Sequence, residues 1–244
     1  MNPPPSQPRS EWATIHGESE SWRAKLIGGI SDAFVVPRYV RLFHETFADA
    51  KQWDFCEIGS GNGDLPKAIL ASDSGTIRSY VTSEVFPEGV EWLRRLGLDS
   101  VQADAEALPW TDAEFDAAIA FDVVHHVAHP RVMAREMMRV GRGRLLLVES
   151  NGLSIFRKMR ELTPGHRRAG ERSYTPWQYR GFFEGHRDYV LESFELAPFL
   201  FPFKCPQQFL PLLVRFNAIA ERIPVLRWQC SSVWMRVRYR RAPP

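Results

Sequence analysis

The chain has 244 residues and a formal net charge of +2, enough for one large α/β domain and too little charge to argue for a polyanion partner. Its three cysteines, Cys56, Cys205 and Cys230, are an odd number at no metal-ligand spacing, so no disulfide framework and no bound metal are expected, and a reducing cytoplasm fits. Neither a signal-peptide pattern nor an apolar run of about 18 residues occurs, and a soluble, cytoplasmic protein is expected.

Met1 to about Ser10 is proline-rich and predicts a mobile tail. Trp22 to Ala50 carries apolar residues at helical spacing, among them Phe34, Tyr39, Leu42, Phe43 and Phe47, interrupted at Gly28-Gly29 and Pro37. That pattern predicts two helices, which pack on the main fold, cover a ligand as a lid, or do both. From Asp54 onward strand and helix patterns alternate, which predicts βαβ units and a parallel sheet. The predicted strands are Asp54 to Ile58, Ser79 to Val85, Ser100 to Ala103, Phe115 to Phe121 and Arg144 to Glu149, with helices between them.

After the fifth strand the pattern is less regular. Asn151 to Arg172 is basic and predicts a mobile insert. Thr175-Pro176-Trp177-Gln178 has the form of a capping box with proline at the first helical position, and that helix should end near Gly185. Tyr189 to Leu200 predicts a strand and Pro206 to Ile223 a mostly helical segment. Ser232 to Arg240 alternates, with Arg236, Arg238 and Arg240 on one face and Met235, Val237 and Tyr239 on the other.

The most informative stretch is Phe55-Cys56-Glu57-Ile58-Gly59-Ser60-Gly61-Asn62-Gly63-Asp64-Leu65. It joins a buried strand to a helix through a turn of alternate glycines, where the backbone can take positive φ or lie directly against a ligand. The dinucleotide fingerprint fails because Asp64 occupies its third small position. No Gly-Lys-Ser/Thr follows, so the phosphate-binding loop of nucleotide triphosphatases fails too. The carboxyl ends of the next strands add Glu84, Asp104 and Phe121-Asp122 to the same edge. Acidic groups in register behind a glycine turn suit a ligand with ribose hydroxyl and amine donors.

The turn, followed by Val101-Gln102-Ala103-Asp104-Ala105-Glu106-Ala107-Leu108-Pro109-Trp110, Phe115-Asp116-Ala117-Ala118-Ile119-Ala120 and Val123-Val124-His125-His126-Val127, resembles the class I S-adenosylmethionine-dependent methyltransferases. The nearest pattern is the branch with ubiquinone/menaquinone-type and natural-product enzymes, and the match covers roughly residues 52 to 150. The resemblance implies a Rossmann-like seven-stranded sheet with helices on both faces. It implies a mobile tail and lid helices at 1–50, an S-adenosylmethionine-binding core at 51–150, and a substrate-side insert with closing strands at 151–244.

By the same resemblance S-adenosylmethionine meets Glu57, Gly59, Ser60, Gly61, Asn62 and Gly63 at its methionine end. Glu84 and Val85 lie at the ribose, Asp104 and Ala105 at the adenine, and Phe121 and Asp122 near the sulfonium. Glu84 stands where aspartate is commoner, and Asp64 lies inside the turn. Transfer from a sulfonium needs chiefly alignment and exclusion of water, with a base only where the acceptor loses a proton. His125 and His126 are the candidates for that base or for an architectural hydrogen bond, and Glu149 and Asn151 for orienting the acceptor.

The aromatic residues beyond Pro176 favour core packing, with some lining a pocket for a small, hydrophobic or lipid-like acceptor. Membrane contact through the arginines of 157–172 and a solvated insert both remain open. The alternatives are an RNA or protein methyltransferase, which near-neutral charge disfavours, and a non-catalytic partner subunit.

Overall fold

The computed structural model describes residues 22–162, 172–200 and 209–243. The predicted N-terminal tail, Cys205 and parts of the predicted insert and of the Pro206 to Ile223 segment lie outside them. The elements in chain order are α1 (Trp22–Thr46), β1 (Trp53–Ile58), α2 (Asp64–Ala71), β2 (Ile77–Glu84), α3 (Pro87–Arg95), β3 (Asp99–Gln102), β4 (Phe115–Phe121) and α4 (Pro130–Val140). They continue with β5 (Gly141–Ser150), α5 (Ile155–Glu161), α6 (Pro176–Phe183), β6 (Tyr189–Phe199), α7 (Leu210–Ala220), α8 (Pro224–Arg227) and β7 (Ser232–Arg241).

One sheet runs in the order β3-β2-β1-β4-β5-β7-β6. The first five strands are parallel, and β7 pairs antiparallel with both β5 and β6. Strand order reverses between β1 and β4, which opens a crevice outside their carboxyl ends. This is the seven-stranded methyltransferase-type sheet that the sequence led us to expect.

Alternate residues of each central strand enter cores on opposite faces, as a parallel sheet covered on both sides requires. Ile58, Ala118, Ala120, Leu145, Leu147 and Met235 pack on one face, with Met133 and Met137 of α4 and Tyr179 of α6. Phe55, Ala117, Ile119, Phe121, Leu146 and Val148 pack on the other, with Phe43 of α1 and Phe47 just beyond it.

The two predicted N-terminal helices are one. α1 runs unbroken for 25 residues with Pro37 inside it. An internal proline costs a helix about 3 kcal/mol, but burial of Phe34, Tyr39, Leu42 and Phe43 on the same helix outweighs that. Its C-terminal residue is also met by cations. Arg144 donates to the Thr46 carbonyl at 2.8 Å and Arg236 to Thr46 Oγ1 at 2.9 Å. The insert is likewise more regular than predicted, since 155–161 form α5. The capping box is present, with Thr175 N donating to Gln178 Oε1 at 2.9 Å.

Candidate functional site

The crevice at the β1/β4 switch is floored by the glycine turn. Gly59, Gly61 and Gly63 have φ of 68°, 55° and 82°, in the left-handed region that side chains resist. Two of them also lack room. A Cβ on Gly59 would stand 2.7 Å from Val123 Cγ2, and one on Gly63 would stand 2.9 Å from Leu93 Cδ2. Gly59 therefore lets β1 and the β4 loop approach, whereas Gly63 lets α2 start against α3.

The turn is tied down from β2. Glu84, buried at the end of that strand, accepts the Gly61 amide on Oε2 at 3.1 Å and the Val85 amide on Oε1 at 2.9 Å. Ser60 N donates to the Ser83 carbonyl at 2.8 Å, and Trp92 Nε1 donates to the Asn62 carbonyl at 2.9 Å. Asn62 closes the turn onto the helix start by donating from Nδ2 to Asp64 Oδ2 at 2.7 Å. The hydroxyl of Ser60 is buried on the side of the Glu57 carboxyl.

Glu57 is buried at the end of β1 and accepts the Tyr80 hydroxyl at 2.6 Å. Burial pushes its carboxyl up to about 7, although Tyr80 and the nearby Ser60 oppose the rise. Asp104 is exposed beyond β3 and accepts the Glu106 amide at 2.8 Å, while Ala105 beside it is buried. All the acidic groups that the sequence placed along this edge are at it.

Across the switch, β4 ends in Asp122, a non-glycine residue at φ 56°. The chain then folds over Glu149 of β5. The side chain of Glu149 has no exposure. Its Oε1 accepts the amides of Val123 and Val124 at 2.7 and 2.6 Å, and its Oε2 lies 2.8 Å from His125 Nδ1. A carboxylate has only acceptor capacity, so the network assigns the proton to Nδ1 and leaves Nε2 as the acceptor. Burial alone would lower the His125 pKa, but the Glu149 hydrogen bond and the charges of Glu149 and Asp122 outweigh it and raise it.

His126 is exposed, and its ring centroid lies 4.0 Å from that of His125. Asp122, His125 and Glu149 bring one ligating atom each within 4.8 Å of one another. The amides and imidazole already held by Glu149 occupy that space as a hydrogen-bonded cluster.

One member of the site lay in the N-terminal segment. The Tyr39 hydroxyl of α1 donates to Asp122 Oδ2 at 3.2 Å, with its ring 5.4 Å from Phe121 and 5.6 Å from Phe199. Asp122 is open on its crevice side. Desolvation by these neighbours, then the charge of Glu149, raise its pKa. Helical spacing marked Tyr39 as part of an apolar face, but nothing local distinguished it from the phenylalanines around it.

Asn151 differs from expectation. It is fully buried and its amide is engaged by backbone: Nδ2 donates to the carbonyls of Trp228 and Cys230, both at 2.9 Å, and Oδ1 accepts the Leu153 amide at 3.0 Å. It fastens the end of β5 to the segment before β7, where an acceptor-orienting amide was expected. His129, at the start of α4, faces away from this group and pairs with Glu106 at 2.7 Å.

Residues 56–147 match a family model described as a methyltransferase domain. No curated protein gives a significant match. Among solved structures, the Haloferax volcanii protein in complex with the Trm112 methyltransferase activator is 15% identical, with a TM-score of 0.64 over 95% of this chain and 99% of that one. An S-adenosylmethionine-dependent methyltransferase of Archaeoglobus fulgidus is 14% identical, with a TM-score of 0.55 over 85% and 97%. The [4+2]-cyclase SpnF is 19% identical, with a TM-score of 0.53 over 84% and 80%. At these identities the likenesses show a shared fold, one that also carries chemistry other than methyl transfer.

Proposed function

We propose that this chain, a class I S-adenosylmethionine-dependent methyltransferase through its domain at residues 56–147, methylates a small, apolar acceptor with His125 as its proton acceptor. The observation that carries the reading is the His125–Glu149 pair, a histidine held in one tautomer by a fully buried carboxylate at the crevice.

The residues fit the cofactor. Gly61 holds a left-handed φ of 55° in the turn, where a backbone without a side chain can lie against a ligand. Each oxygen of Glu84 accepts one amide, which leaves further lone pairs for hydroxyl donors. Glu57, Gly59, Ser60, Gly61, Asn62 and Gly63 hold the methionine portion, Glu84 and Val85 the ribose, and Asp104 and Ala105 the adenine. Phe121 and Asp122 border the reacting end.

When bound, S-adenosylmethionine supplies a methyl group already activated on a sulfonium. The protein contributes position, exclusion of water and proton management. Tyr39, Phe121 and Phe199 form an aromatic wall beside Asp122, which suits an apolar acceptor. The acceptor atom gives its proton to Nε2 of His125 as it takes the methyl group. Glu149 does not touch the acceptor; it stabilises the imidazolium and fixes the ring. It is a positioning residue, and α1 with Tyr39 closes the site from above.

The arginines support a small acceptor over a nucleic acid. Arg139, Arg142 and Arg144 pair with carboxylates of this chain at 2.7–3.2 Å, and Arg78 and Arg241 also bond to such carboxylates, so they form ion pairs and not a free basic track. Screening apolar phenols, carbon acids and amines for methyl transfer, with His125→Gln as control, tests the proposal. Turnover that survives His125→Gln unchanged would remove the base.

A further inference from the structure

Three helices that follow β5 carry apolar side chains that stay exposed among the described residues. Ile155 and Met159 on α5 are 63% and 62% exposed, Leu212 on α7 is 65% exposed, and Val225 on α8 is 77% exposed; Ile219 and Leu162 are exposed too. These elements adjoin. Ser154 Oγ donates to the Gln229 carbonyl at 2.9 Å and Ile155 N to Gln229 Oε1 at 3.0 Å, which seats the start of α5 on the end of α8. Only three residues separate α7 from α8. Bulky side chains exposed together mark an interaction surface.

The α7–α8 part of this face carries unneutralised charge of one sign, and the acid of α5, Glu161, is paired with Lys158 at 3.0 Å. Arg215, Arg222 and Arg227 stand among the apolar residues of 209–228, and none pairs with a carboxylate among the described residues. The acid of that stretch, Glu221, is held by Arg38 at 2.6 and 2.7 Å and by the Leu200 amide at 3.0 Å. Apolar side chains interleaved with unneutralised arginines are the composition of helices that lie in a bilayer interface, where each buried side chain and each cation near anionic headgroups adds affinity. No helix among the described residues is long and apolar enough to cross a membrane.

From these observations we infer that the α5–α7–α8 face docks on the surface of an anionic lipid bilayer. The face borders the site, because Asn151, two residues beyond Glu149, holds the carbonyls of Trp228 and Cys230. Docking there brings the crevice to the bilayer, where an apolar acceptor partitions. That use rests on the apolar-acceptor reading, whereas the docking itself does not.

The test is co-sedimentation of the full chain, at low ionic strength, with vesicles of phosphatidylcholine alone and of phosphatidylcholine and phosphatidylglycerol in equal parts. The wild type should bind the mixed vesicles and bind the neutral ones much less. Ile155→Glu with Val225→Glu, and separately Arg215→Gln with Arg222→Gln and Arg227→Gln, should each weaken binding about tenfold or more. Both variants should keep the wild-type affinity for S-adenosylmethionine, which shows that they fold. Absence of wild-type binding to either vesicle overturns the inference, as do glutamate variants that bind like the wild type. A wild-type dimer that the glutamate variants dissolve also overturns it, since a second copy then covers the face. Failure in the vesicle assay with intact cofactor binding bears on the surface alone, and loss of cofactor binding by the wild type bears on methyl transfer alone.

Discussion

Glu149 holds His125 from beneath: Oε2 lies 2.8 Å from Nδ1, while Oε1 is fixed by the amides of Val123 and Val124. The carboxylate therefore cannot turn away, and the imidazole inherits its orientation. Glu149→Gln keeps the shape but presents an amide to Nδ1. That variant should lower the pKa of His125, measured by carbon–proton NMR of the ring, and reduce kcat roughly 10²-fold or more. Cofactor affinity should not change. An unaltered His125 titration would show that the pair is only a turn fastening.

The raised pKa of His125 fixes the sign of two pH effects. A group whose folded value exceeds its unfolded value of about 6.5 stabilises the fold fully below that pH, and the contribution disappears as pH rises through the folded value. Activity should run the opposite way, since only neutral His125 accepts a proton. kcat/KM for an acceptor that loses a proton should climb through an apparent value above about 6.5, and this limb should vanish in His125→Gln.

Glu57 titrates in the same window for a different reason. Burial raises its carboxyl to about 7, so between the usual carboxylate range and that pH the folded state holds a proton that the unfolded state has lost. Stability of the ligand-free protein should fall over this interval, by on the order of 3 kcal/mol at most. Glu57→Gln keeps an acceptor for Tyr80 and should flatten the fall. Denaturant titrations at several pH values provide the check.

Gly59→Ala combines a left-handed φ of 68° with a Cβ 2.7 Å from Val123 Cγ2. The conformation alone costs roughly 1–2 kcal/mol, and the contact adds to it by pushing the β4 loop that carries His125. Thermal unfolding should show a lower Tm, and calorimetry a weaker cofactor. Alanine at Gly97, with φ of 81° but nothing within 4 Å, should lower Tm and leave cofactor affinity intact.

Much of this site was legible before the fold was known. The spacing of Gly59, Gly61 and Gly63 and the acidic residues at successive strand ends are local signals, and the sheet places them where the pattern implied. What escaped is long-range. Tyr39 meets Asp122 across 83 residues, and Asn151 reaches the carbonyls of Trp228 and Cys230 across 77 and 79. Whether a polar side chain faces a ligand or its own backbone depends on such partners, which spacing does not encode. α1 escaped for an energetic reason, because Pro37 marks a local break that tertiary burial of its neighbours overrides.

The central claim is that Glu84, bound to the Gly61 amide at 3.1 Å, and the turn it secures hold S-adenosylmethionine. The most direct measurement is calorimetric binding of S-adenosylmethionine and S-adenosylhomocysteine to the wild type and to Glu84→Ala. Loss of one buried acceptor group predicts about 1–3 kcal/mol, or roughly a ten- to hundredfold weaker Kd, in a variant that remains folded. A folded wild type that binds neither ligand, or a Glu84→Ala variant that binds both as tightly as the wild type, would contradict it.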